Sequence, residues 1–125
     1  MRIFTSYYSR VGSIVKDGDN VLLVQVSNTK PKWLQLKTVK PRIQMWPSWD
    51  LINAYKDGLM SYAEFSERFQ NYLDGYTSSE QLHDELERLS KEYGCTNLIL
   101  LCWEKTGCHR TALAAYIGKD YCGEL

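Results

Sequence analysis

Residues 97–118 read NLILLCWEKTGCHRTALAAYIG, and the order of residue types in this stretch decides the fold. Leu98, Ile99, Leu100 and Leu101 form an unbroken apolar run, the pattern of a strand covered on both faces. Cys102 falls where that strand ends. A polar turn follows, from Trp103 to Gly107. Ala112, Leu113, Tyr116 and Ile117 then recur at helical spacing, and Gly118 supplies the stop. A buried strand, a short turn and a helix together form the unit from which parallel α/β sheets are built.

Function is expected at the same junction. Ligands of open α/β sheets lie beyond the carboxyl ends of strands, and a helix N-terminus offers unpaired N–H groups to an anion. Cys102, Glu104, Lys105, Cys108, His109 and Arg110 all fall here.

A chain of 125 residues has room for one core, so residues 1–125 are read as a single α/β domain. The expected architecture has three layers, with a small, mainly parallel sheet flanked by helices. Strands are expected at 2–5, 21–26 and 97–102, with a fourth edge strand within 33–46. A short helical turn is expected in 9–15. Asp17-Gly18-Asp19-Asn20 marks a turn before the second strand. Three helices follow Pro47, opened by Ser48, Ser61 and Ser78 as N-caps, the last two in capping boxes. Tyr62, Phe65, Phe69, Tyr72 and Tyr76 make an aromatic stripe read as core, and His83 falls on an exposed position. Lys119–Leu125 is given no role.

Nothing resembles a membrane span or a secretory leader, so a cytoplasmic protein with no membrane partner is expected. All four cysteines lie in the last third. Free thiols are therefore expected rather than a disulfide framework. The net charge of zero hides a segregation. Eight Lys or Arg against Asp17 and Asp19 fill residues 1–42, and ten Asp or Glu against four basic residues fill 43–94. The basic third, with Trp33 and Trp46 among its lysines, admits an association with nucleic acid. No nucleic-acid motif supports it.

The landmarks IFTSYYSR, PSWDLINAYKDG, SYAEFSERF and above all LILLCWEKTGCHRTALAAYI resemble the family called domain of unknown function 488. The similarity runs over nearly the whole chain. It implies a small cytosolic α/β protein and carries no settled activity.

Three chemistries compete at the Cys-x5-Cys-His-Arg turn. The first is recognition of an anionic, nucleotide-like small molecule, with or without turnover. Arg110 and Lys105 would hold the anion, with Ser6, Tyr7, Tyr8, Arg10 and Trp103 around it. One version is a viral protein that sequesters a host signalling nucleotide. The second is a thiol-dependent transferase or hydrolase, with Cys108 as nucleophile at a helix N-terminus and Glu104 or His109 carrying the proton. Seven residues separate Cys102 from Arg110, which does not fit the phosphatase loop. The third is metal: Cys102, Cys108 and His109 are suitable ligands, but adjacent Cys and His seldom turn to one ion and a second pair is missing. No metal and no cofactor are therefore expected. A structural alternative makes Arg110 and Glu104 an ion pair that closes the turn.

Overall fold

The structure is a computed structural model and describes residues 1–16 and 18–125. Asp17, part of the expected turn, lies outside the described residues. Strands β1 (Arg2–Tyr7), β2 (Val21–Gln25), β3 (Asn97–Cys102) and β4 (Tyr121–Glu124) form one parallel sheet in the order β2-β3-β1-β4. The helices are α1 (Tyr8–Ile14), α2 (Trp49–Lys56), α3 (Tyr62–Asp74), α4 (Ser79–Tyr93) and α5 (His109–Ile117). The chain is a small three-layer α/β domain.

β3 lies between β2 and β1, so both of its edges are paired, and helices cover its two faces. Leu98 and Leu100 join Phe69, Leu73, Leu82, Leu86 and Leu113 in the larger core, under α3, α4 and α5. Ile99 and Leu101 meet Tyr8 and Val11 of α1 on the opposite face, where Leu34 and Leu36 complete a thinner layer. Alternate side chains thus serve two cores, which is why the run carries no polar residue.

The fourth strand is at the C-terminus. β4 pairs with the outer edge of β1, with a bulge between Ile3 and Phe4, and Leu125 N donates to Thr5 O at 2.8 Å. The segment 33–46 contributes only an isolated bridge, Val39 to Val24. Pro41 interrupts the N–H row that a strand needs.

Ser48, Ser61 and Ser78 each accept a hydrogen bond from the backbone N–H three residues on, as N-caps do. Of the aromatic stripe, Phe65 and Phe69 are buried, while Tyr76 is exposed at the end of the helix. His83 is buried rather than exposed, because Asp120 accepts its Nε2 at 2.7 Å from the turn leading into β4. No helix among the described residues is long and apolar enough to cross a membrane.

Candidate functional site

The connection leaving β1 passes over β3 to reach β2, whereas the one leaving β3 passes over β1 to reach β4. The two depart in opposite directions, so the switch point of the sheet lies between the ends of β1 and β3. Tyr7 and Cys102 are register partners there.

Arg110 fills that crevice. Its side chain is 3 % exposed. Nε and Nη2 donate to the Glu124 carboxylate, Nη2 also donates to Lys105 O at 2.9 Å, and Nη1 donates to Glu104 O and reaches Cys102 Sγ at 3.1 Å. All five guanidinium N–H groups are thereby engaged, and the plane lies over the Tyr7 ring, 5.3 Å from its centroid. The ion-pair partner is Glu124, not Glu104. Burial pushes the Glu124 carboxyl up, but the hydrogen bonds and positive charge it receives from Arg110 and its other neighbours together hold it below the ordinary range.

The expected site residues divide into two groups. Ser6, Tyr7, Arg10 and Arg110 gather around the ends of β1 and β4. Arg10 Nε and Ser6 Oγ both donate to the Leu125 main-chain oxygen, at 2.9 and 3.5 Å. Trp103, Glu104, Cys108 and His109 line a separate hollow of about 660 Å³, one strand over, between the exits of β2 and β3. Lys105 stays exposed. Tyr8 is buried beneath the floor, and burial pushes its phenol up to about 12.

The hollow owes its shape to residues that the motif did not announce. Trp46, Trp49, Ile52, Tyr55, Lys56 and Phe65 close one side, and Ser27, Asn28 and Thr29 the other. Tyr55 stacks on Phe65 at 4.4 Å. The loop after β2 is fixed by a chain of donors: Tyr8 O–H to Ser27 Oγ at 2.7 Å, then Ser27 O–H to Thr29 O at 2.6 Å. Trp103 Nε1 donates to the same Thr29 oxygen at 2.9 Å, tying the two loops together. At the rim Lys56 faces the Glu104 carboxylate at 3.7 Å, with both side chains more than half exposed.

At the inner end stand Cys102, Cys108 and His109, all buried. Free thiols were expected at every cysteine, but the Cys102 and Cys108 sulfurs are bonded, with Cα atoms 7.0 Å apart. Gly107, at φ +69°, turns the chain back so that Cys108 returns over the end of β3. Cys95 and Cys122 are free.

The tautomer of His109 follows from its partners. Nε2 contacts the Val26 carbonyl, which can only accept, so Nε2 carries the proton. Nδ1 presents its lone pair 3.6 Å from Cys108 Sγ. Burial lowers the His109 pKa to about 4; the hydrogen bond to the Val26 carbonyl opposes this, and the Arg110 charge adds a smaller push downward. The ring is neutral at pH 7. Cys108 is the N-cap of α5 and makes no side-chain cap bond, so the N–H groups of the first turn keep their capacity for an anion.

No family model, curated protein or solved structure matches the chain.

Proposed function

We propose that the chain binds a small, flat-ringed, anionic molecule of the nucleotide class in the hollow between the exits of β2 and β3. The observation that supports this reading is the wall of the hollow. Five aromatic side chains, Trp46, Trp49, Tyr55, Phe65 and Trp103, border a space of about 660 Å³. That is the size and lining of a small-molecule site, and flat rings stack on such walls.

The anion-binding part differs from the one read in the sequence. Arg110 has no donor to spare, so an acidic group would be met by the uncapped first turn of α5 and by Lys56. The Lys56–Glu104 pair is exposed and contributes little stability; an incoming anion displaces Glu104 from Lys56 at small cost.

A second reading, a thiol-dependent enzyme, is favoured by one observation. The His109 Nδ1 lone pair lies 3.6 Å from Cys108 Sγ, the arrangement of a base beside its nucleophile. It requires the reduced form, because a bonded sulfur has no thiol proton to give.

Tryptophan fluorescence tests the first reading. Metal-free protein would be titrated with nucleosides and with nucleoside mono- and diphosphates. Quenching by phosphorylated members, weakened about tenfold or more by Trp49→Ala and by Lys56→Ala, is the expected result. Equal binding by nucleosides removes the anionic part of the proposal. No quenching by any member, or full affinity in Trp49→Ala, removes the ligand class altogether.

A further inference from the structure

We propose that Cys102, Cys108 and His109 form a divalent-metal site of the Cys2His class, suited to zinc, whose fourth coordination position opens into the aromatic hollow. The inference goes beyond the ring-binding reading and does not depend on it.

The ligand atoms of these three residues all lie within 4.8 Å of one another. The separation of Cys108 Sγ from His109 Nδ1 is 3.6 Å. Zinc–sulfur and zinc–nitrogen bonds of ordinary length at a tetrahedral angle place those atoms about 3.5 Å apart. The two neighbours converge because the backbone changes between them. Cys108, the N-cap, is extended, with φ −88° and ψ 153°, and His109 begins the helix. That change of conformation brings two consecutive side chains to one side, which the sequence reading took to be unfavourable.

The surroundings suit deprotonated ligands. The Val26 carbonyl accepts a hydrogen bond from His109 Nε2–H and leaves Nδ1 free to ligate, the usual support of a metal-bound imidazole. Arg110 Nη1 points at Cys102 Sγ from 3.1 Å, and Cys108 sits at the positive end of α5; both stabilise thiolate. Two thiolates and an imidazole select zinc over the oxygen-seeking magnesium or calcium. Each of the three residues also borders the hollow, and no fourth protein ligand joins the cluster among the described residues. Three protein ligands with an open position characterise catalytic zinc, whereas structural zinc takes four. A water or a ligand atom in the hollow completes the coordination.

The bonded sulfurs define the oxidised state of the same residues. A dithiol reductant supplies two electrons and two protons, becoming a disulfide itself, and leaves two thiols on the protein. Binding of the ion then releases both thiol protons to solvent and forms two metal–sulfur bonds and one metal–nitrogen bond. Metal occupancy is therefore tied to the redox state of the Cys102–Cys108 pair.

The test uses the full chain, reduced with a phosphine under anaerobic conditions and titrated with Co2+ as the spectroscopic probe. The expected result is saturation at one ion per chain, with a thiolate-to-metal charge-transfer band and the intense visible bands of tetrahedral cobalt. Zinc displaces the cobalt. Cys102→Ser and Cys108→Ser lose charge-transfer intensity, His109→Ala binds at least tenfold more weakly, and the double variant Cys95→Ser/Cys122→Ser behaves as wild type. Alkylation of the wild-type protein keeps the test independent of how the variants fold: zinc protects Cys102 and Cys108 and leaves Cys95 and Cys122 reactive. The proposal is overturned by failure of the reduced protein to bind, by a weak six-coordinate spectrum, or by protection of Cys95 and Cys122 instead. Ring binding is measured on metal-free protein, so a failure here leaves that reading standing and the reverse also holds.

Discussion

Arg110 and Glu124 form a forked ion pair, with Nε 3.1 Å from one carboxylate oxygen and Nη2 2.7 Å from the other. The pair binds the first turn of α5 to the last strand. The same guanidinium holds the carbonyls of Glu104 and Lys105, so one side chain closes the turn that carries Cys108. Arg110→Ala leaves the half-exposed Glu124 carboxylate and the two turn carbonyls without their donor and is expected to destabilise the fold by about 2 kcal/mol, as loss of hydrogen bonds to a charged group does. Arg110→Lys recovers less than half of that, because an ammonium cannot reproduce the fork. Urea unfolding measures both. A loss below about 1 kcal/mol in the alanine variant would mean that Arg110 does not organise the turn.

Gly107 is the second requirement of that turn. At φ +69° it takes a conformation that L side chains rarely adopt, and an added Cβ would sit 2.8 Å from the Tyr55 hydroxyl. Gly107→Ala is expected to cost about 1–2 kcal/mol from the backbone alone. It should also displace Tyr55 from the wall of the hollow, which fluorescence of the neighbouring tryptophans reports. Unchanged stability together with unchanged fluorescence would contradict the geometry described.

His109 makes stability depend on pH in a defined window. The unfolded imidazole takes its proton near 6.5 and the folded one only near 4. Between those values the unfolded chain holds more protons, so stability falls as the pH drops. The contribution is complete above 6.5 and lost progressively down to about 4, a change on the order of 2–3 kcal/mol. The lowered carboxyls of Glu85, Asp120 and Glu124 act further down the scale, below their ordinary values of 4.5 and 3.8. Urea midpoints of metal-free protein from pH 7.5 to 4.5 should therefore decline, and His109→Gln should flatten the curve. A flat wild-type profile would show that the ring is not held neutral by burial.

The β3–turn–α5 unit was legible because its signals are local and agree. An apolar run serves two cores, a glycine permits the turn, and a helical stripe follows. β4 was not legible. Its four residues, Tyr121–Glu124, include a glycine and alternate only weakly, and they become a strand through pairing with β1 more than a hundred positions away. His83 looked exposed for the same reason, since Asp120 reaches it only after the chain has returned to the sheet edge. At the site, the residue types of the motif marked the right turn but not the direction each faces. Arg110 was read as a free cation, whereas Glu124, distant from the motif's turn, occupies it. PSWDLINAYKDG was a landmark of the resemblance, but nothing in it marked α2 and the loop before it as walls of this site. Trp46, Trp49 and Tyr55 become a surface only when that helix is laid across the exits of β2 and β3.

The most direct measurement is an amide chemical-shift titration of the metal-free chain with nucleoside monophosphates. The account predicts saturable shifts clustered at Asn28, Thr29, Gly107, Cys108 and His109, with little change at Ser6, Arg10 and Glu124. Shifts confined to the β1 and β4 ends, or none at saturating nucleotide, would contradict it.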